Sequence, residues 1–210
     1  MDFNYFNNNL SKISAKLIGG LEVQFKLAPK IRLKYSEEKI NAKNPKKAGV
    51  LALFYPNKFQ QTQFLLTLRA NYNGTHSSQI SFPGGKFDEN DQTLQNTALR
   101  ETEEEVGIRS SKITVFKEMT EVYIPPSNFL VTPYLGVISE TPTFTKNYEV
   151  EQLIEVSLKD LLDDQKLSKT TLSTSYAKNM EVPCFKLNNY IVWGATAMML
   201  SEIKELLKEL

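Results

Sequence analysis

Residues Arg100 to Ile108 read RETEEEVGI and hold four glutamates in five positions: Glu101, Glu103, Glu104 and Glu105. Glutamates three or four apart on a helix repel each other by roughly a few tenths of a kcal/mol per pair. At about 100° per residue, Leu94, Ala98, Glu101 and Glu105 fall on one line, so the carboxylates continue an apolar stripe. Glu104 lies beside that line, and Glu103 points elsewhere. A merely solvated acidic face would lie opposite the stripe. Acids at the edge of a core are costly without a partner. Arg100 can neutralise one of them. A hard divalent cation, which prefers carboxylate oxygens, suits the rest. The acids also sit in the last turns of the helix, where the helix dipole disfavours anions and a bound cation would offset it. A metal site and a charged surface face are the two readings this segment leaves open.

Just upstream, SFPGGKFDEND sets Gly84 and Gly85 between a strand and a helix. Paired glycines there allow positive φ and a close approach of backbone to ligand, although a sharp turn is the plainer reading. Neither G-x-G-x-x-G nor G-x-x-x-x-G-K-[ST] occurs, so this is not a dinucleotide fingerprint or a phosphate loop. The chain has one cysteine, Cys184, and one histidine, His76. An intramolecular disulfide, a multi-cysteine zinc site and a histidine-rich metal site are therefore excluded. No G-x-S-x-G elbow accompanies His76, which argues against a serine triad. Formal net charge is +1, and no basic stripe or nucleic-acid motif is present, so no nucleic-acid partner is expected. No apolar run reaches the ~18 residues of a spanning helix. The N-terminal MDFNYFNNNL lacks the pattern of a signal peptide, and the C-terminal KEL is not a peroxisomal or ER address. The expectation is a cytoplasmic protein without a membrane partner.

The elements that must position these residues can be read from periodicity. Phe3, Phe6, Leu10, Ile13 and Leu17 form one helical face, predicting an N-terminal helix over 1–20 that is closed by Gly19 and Gly20. Residues 22–47, with Pro29, Pro45 and many lysines, read as a surface connector. Strands are expected at VLALFY, at QFLLTLR (buried on both faces), and at a short QISF. A helix follows from about Thr93 to Val106, capped by Asp91 or Thr93 and stopped by Gly107. ITVFKEM, VTPYLGVI and VEQLIEV read as strands, SLKDLLDD as a short helix, and VPCFKL–Asn188–Asn189–YIVWG as a hairpin. The chain ends in an amphipathic helix carrying Met199, Ile203, Leu206 and Leu210. Strands interleaved with helices predict one α/β domain with helices covering a mixed sheet.

Taken together, these residues resemble the Nudix hydrolases, whose motif is G-x5-E-x7-R-E-U-x-E-E-x-G-U with U aliphatic. Arg100, Glu101, Glu104, Glu105, Gly107 and Ile108 match, and Thr102 stands at an aliphatic position. Eight residues before Arg100 stands Gln92 instead of glutamate, and Gly85 lies 15 before Arg100, one more than the motif has. That spacing is similar to the coenzyme A branch of the family, as is LLTLRANYNGTHSSQISFPGG, in which Leu65, Leu66, Thr67, Arg69, Ala70 and Phe82 to Gly85 match. Gly74 and Ser78 replace an arginine and a glycine of that signature. Looser matches continue to about residue 205.

The resemblance implies an α/β/α sandwich with a mixed sheet, filling one domain over 1–210 with a catalytic core at 48–210. It implies a pyrophosphohydrolase that cleaves a nucleoside diphosphate derivative. For coenzyme A the products would be 3′,5′-ADP and 4′-phosphopantetheine, or its acyl form. Glu101, Glu104 and Glu105 would hold Mg²⁺ or Mn²⁺, with Arg100 fixing a glutamate. Gly84 and Gly85 would let backbone reach the metal or diphosphate, and Arg69 and Lys86 would meet phosphates. Glu101 is a candidate base. Glu149 reads first as a loop acid and second as a base, and Trp193 reads first as a core residue and second as a stacking platform for adenine. The alternatives are ADP-ribose, NADH or a dinucleoside polyphosphate as substrate, or a Nudix-fold binding module without catalysis. A homodimer is left open.

Overall fold

The computed structural model describes residues 1–70, 79–174 and 177–210. The N-terminal apolar face is split between two short helices, α1 (Phe3–Asn8) and α2 (Leu10–Ala15). The break falls at Asn9, whose side-chain amide donates to the Tyr5 carbonyl at 2.8 Å and so satisfies the end of α1. Phe3, Phe6 and Ile13 are buried, whereas Leu17 lies beyond α2 and is 96% exposed. The one helix expected over 1–20 is therefore interrupted. The stretch read as a connector is also structured. It carries α3 (Gly20–Phe25), a 3-10 turn over Lys30–Lys34, and α4 (Glu37–Asn41), where Ser36 caps α4 by accepting the Lys39 N–H.

The strands follow as β1 (Lys46–Pro56), β2 (Thr62–Arg69), β3 (Ile80–Ser81) and β4 (Gly84–Lys86). Helix α5 (Leu94–Val106) comes next, then β5 (Thr114–Glu118), β6 (Val122–Ile124), β7 (Phe129–Val137) and β8 (Val150–Ser157). The chain continues through α6 (Leu158–Leu162), β9 (Leu167–Thr174), β10 (Ala177–Leu187), β11 (Tyr190–Trp193) and α7 (Gly194–Leu207). Positive φ at both Asn188 and Asn189 makes the β10–β11 turn the primed kind that matches strand twist.

β1 is the axis of a mixed sheet. Along one edge it pairs in parallel with β7, Lys46 to Phe54 against Phe129 to Val137. Its other edge is shared: β4 pairs with Ala48 to Val50, and β2 with Phe54 to Pro56, both antiparallel. Between these the Leu51 N–H donates to the Pro83 carbonyl at 2.9 Å, so no edge donor is orphaned there. β2 then diverges from β1 and pairs with β3 and β8. A second sheet runs β11–β10–β9.

The period-2 alternation of β1 sets the layers. Leu51, Leu53 and Tyr55 pack with Ala98 and Val106 of α5, whereas Ala52 and Phe54 pack with Phe6, α7 and the second sheet. The result is the expected α/β/α sandwich with a mixed sheet. No helix among the described residues is long and apolar enough to cross a membrane.

Helix α5 lies very close to β1. A Cβ on Gly49 would sit 2.2 Å from the Leu94 carbonyl oxygen, a backbone atom that cannot rotate away. Gly49→Ala is therefore expected to lower the unfolding free energy by about 2–3 kcal/mol. The shift would be read from the urea midpoint at unchanged m-value, and an unmoved midpoint would show that the helix does not require this approach.

Candidate active site

Thr93 starts α5 by accepting the Asn96 N–H at 3.1 Å, and Gly107 ends it at φ 76°. The stripe predicted for this helix runs inward as expected. Ala98 is fully buried, and Glu105 is only 3% exposed. Thr102 is fully buried too, and its hydroxyl donates to the Ala98 carbonyl at 2.6 Å. A hydroxyl at a usually aliphatic position is thus satisfied within its own helix. Glu103 points away and accepts the Ser110 N–H at 2.8 Å.

The Gly84–Gly85 turn of β4 lies directly against the acids. The Gly84 N–H donates to Glu105 Oε2 at 3.2 Å. Gly84 has φ 147°, and a Cβ there would collide with the Gly49 carbonyl. A Cβ on Gly85 would fall 2.3 Å from the Glu101 carboxyl carbon. Gly84 therefore makes room for the β1 backbone and Gly85 for the Glu101 carboxylate.

Two arginines divide the negative charge. Arg69 reaches Glu105 Oε1 at 3.4 Å and Glu149 Oε2 at 3.3 Å. Glu149 is brought in by its loop, in which the Thr145 and Asn147 N–H groups donate to the Val106 and Glu105 carbonyls. The acid read first as a loop residue thus belongs to the cluster. Arg100 forks onto Asp91, Nε to Oδ1 at 2.7 Å and Nη2 to Oδ2 at 3.0 Å. It also reaches Glu101 at 3.0 Å and Glu104 at 3.2 Å, and it donates to the Lys86 carbonyl at 3.4 Å.

Asp91, expected only as a possible cap for α5, is the Arg100 partner that sequence reasoning missed. Counting eight back from Arg100 reaches Gln92, which ends a short 3-10 turn at φ 63°. The carboxylate that meets Arg100 stands one residue earlier. The extra residue between Gly85 and Arg100 was the available signal, since it shifts the count by one. Asp91 is held as well by the Thr97 hydroxyl at 2.8 Å and the Asp88 N–H at 3.1 Å. The Arg100 hydrogen bond leads in pulling its carboxyl down to about 2.

The inner acids move the other way. Burial pushes Glu105 up to about 7, against the pull of Arg69 and the Gly84 N–H, and Glu101 and Glu149 push it further. Burial also raises Glu101, opposed by Arg100. Among the described residues, no three such side chains stand ready-gathered around a metal position. Arg69 lies between Glu105 and Glu149, and Arg100 between Glu101 and Glu104. The donor set nevertheless fits a hard cation: all-oxygen, crowded and short of positive charge at its buried end.

A cavity of about 550 Å³ adjoins this cluster through Arg69, Gly84, Gly85 and Lys86. Trp193, read first as a core residue, is only half-buried and lines this cavity. Gly74, Ser78 and His76 lie outside the described residues.

Known proteins share this arrangement of sequence. Residues 45–174 match the NUDIX domain model. The Uncharacterized Nudix hydrolase NudL of Yersinia pestis (strain Pestoides F) is 33% identical over 142 residues, covering 67% of this chain and 70% of its own. The same figures hold for NudL of Yersinia pseudotuberculosis serotype O:1b. The chain belongs to the Nudix hydrolase family. Among solved structures, a MutT/nudix family protein from Enterococcus faecalis aligns at 17% identity and TM-score 0.49, over 82% of this chain and 63% of its own. The MutT protein of Methanosarcina mazei Go1 aligns at 17% and 0.49, over 76% and 92%. The Nudix match begins beside β1 and ends with β9, so it includes every acid of the cluster. The N-terminal helices, β10, β11 and α7 lie outside it.

The raised Glu105 carboxyl gives a pH test on metal-free protein. Its folded pKa, about 7, lies above the unfolded value of about 4.3. The contribution of Glu105 to stability is thus greatest below about pH 4.3 and is lost as pH rises through about 7, where the buried group must ionise. In EDTA, the wild type is expected to lose on the order of 1–3 kcal/mol relative to Glu105→Gln between pH 4 and pH 8. Parallel pH profiles of the two unfolding free energies would contradict this.

Proposed function

We propose that this Nudix hydrolase cleaves the diphosphate bond of coenzyme A or its derivatives, giving 3′,5′-ADP and 4′-phosphopantetheine or its acyl form. The observation that carries the reading is the joining of the carboxylate cluster to the apolar-walled cavity at the Gly84–Gly85 turn. Reacting diphosphate and a long non-reacting group then have adjoining places. The matching LLTLR and FPGG elements, and the one-residue longer spacing, support the coenzyme A branch.

In this reading Glu101, Glu104 and Glu105 hold a divalent cation, Mg²⁺ or Mn²⁺, the kind of ion Nudix hydrolases generally use. When bound, such an ion neutralises diphosphate charge and lowers the pKa of water. The chain's own groups do the rest. Arg100, locked by Asp91, fixes the rotamers of Glu101 and Glu104. Gly84 and Gly85 keep the turn free of side chains where the diphosphate must approach. Arg69 and Lys86 meet its oxygens with charge-assisted hydrogen bonds. Glu101 or Glu149 takes the proton of the attacking water. Residues 48–210 act as the catalytic core, with 1–47 packed onto it as part of the same domain.

The test is hydrolysis of coenzyme A by purified protein with Mg²⁺ or Mn²⁺, run beside ADP-ribose and NADH, with products identified by mass spectrometry. Appearance of 3′,5′-ADP and 4′-phosphopantetheine, quenched by EDTA, is expected. Glu105→Gln should reduce kcat by more than about 100-fold, beyond the ~10–100-fold typical of groups that only orient a metal ligand. Turnover of ADP-ribose or NADH alone would overturn the coenzyme A reading.

A further inference from the structure

The cavity beside the carboxylate cluster is lined by three cationic residues, Arg32, Arg69 and Lys86, and by no acid among its described lining residues. Lys86 and Arg69 flank the Gly84–Gly85 turn, where the reacting diphosphate belongs. Arg32 comes from a different part of the chain, outside the residues 45–174 that match the Nudix domain.

Its placement is built. The 3-10 turn of Lys30–Lys34 follows Pro29, whose carbonyl accepts the Arg32 N–H at 2.9 Å. Arg32 Nη1 donates to the carbonyl of Tyr123, the middle residue of β6. The Tyr35 ring packs on Tyr123 with centroids 5.5 Å apart, and Lys43 Nζ lies 5.1 Å from the Tyr35 ring centroid. The Asn128 amide donates to the Lys43 carbonyl at 3.0 Å, and Asn128 Oδ1 accepts from the Tyr123 hydroxyl at 3.0 Å. These contacts fasten the segment to the β6–β7 turn.

The fixed guanidinium of Arg32 on this wall has the chemistry that meets a phosphate-like anion. That anion is separate from the one at Gly84–Gly85, because a different wall meets it.

We infer that Arg32 is a specificity-determining residue that binds a second phosphate of the substrate, the ribose 3′-phosphate of coenzyme A. The inference rests on the coenzyme A reading. Gly74 stands where the branch signature has an arginine, and Arg32 brings a cation to the cavity from the segment preceding β1.

The experiment is steady-state kinetics of the full chain, with Mg²⁺, on coenzyme A and on 3′-dephospho-coenzyme A. The readout is the ratio of their kcat/KM values, in which any loss of folded enzyme cancels. Wild type is expected to favour coenzyme A by about 10–100-fold, the size of one or two charge-assisted hydrogen bonds. In Arg32→Gln the ratio should fall towards one, mainly through KM for coenzyme A, and Arg32→Lys should restore part of it. A wild-type ratio near one, or a ratio that Arg32→Gln leaves unchanged, would overturn the inference while keeping the coenzyme A reading. Turnover of ADP-ribose with neither coenzyme A compound cleaved would overturn both.

Discussion

Glu105 carries a carboxylate into the interior, 3% exposed, with Glu101 and Glu149 close enough to push its pKa further up. An ionised group in that place is expensive unless donors surround it. Much of the local fold meets this demand. Gly49 lets α5 settle on β1, with Leu94 and Ala98 at backbone contact distance. That depth brings Glu105 within reach of the Gly84 N–H. Gly84 and Gly85 in turn lack side chains where the strand and the Glu101 carboxylate would collide with them. A larger residue at any of these glycines moves the helix or the acids.

The two arginines serve this constraint differently. Arg100 is clamped by a two-point bridge to Asp91, itself fixed by Thr97 and the Asp88 N–H. It presents a rigid positive edge to Glu101 and Glu104. Arg69 meets Glu105 and Glu149 through single contacts of 3.4 and 3.3 Å, and it also faces the cavity. It therefore stands at the boundary between the acids and the space for substrate. A cation among the acids and an anion in the cavity would both draw on that boundary, so their binding is expected to be coupled through charge.

Features set by local rules were legible in the sequence. The α5 stripe, its Thr93 cap and Gly107 stop, the Asn188–Asn189 hairpin and most strands of the mixed sheet follow from periodicity and turn chemistry. The Gly-Gly turn and the glutamates could be paired because their spacing is that of a known motif. What escaped depends on tertiary contacts. Asp91 was hidden by one inserted residue, since a count along the chain cannot show which carboxylate turns towards Arg100. The N-terminal face read as one helix because Phe3, Phe6 and Ile13 keep the period across Asn9, although Asn9 ends α1. β4, β6 and β9 were missed because β4 and β6 are only three residues long and β9 is rich in serine and threonine. Arg32 showed no local signal for the cavity it lines, and Trp193 only that of a second reading as a stacking platform, because the cavity forms only when the segments flanking the Nudix match fold against it.

The central claim is that the glutamates of α5 form a cation site. The most direct measurement is Mn²⁺ binding to substrate-free protein, followed by electron paramagnetic resonance. Wild type and Glu103→Gln should show the same saturable binding, since Glu103 turns away to the Ser110 N–H. Glu101→Gln and Glu105→Gln should each weaken it by about 10-fold or more. Equal affinity in all four proteins, or no saturable binding in the wild type, would contradict the claim.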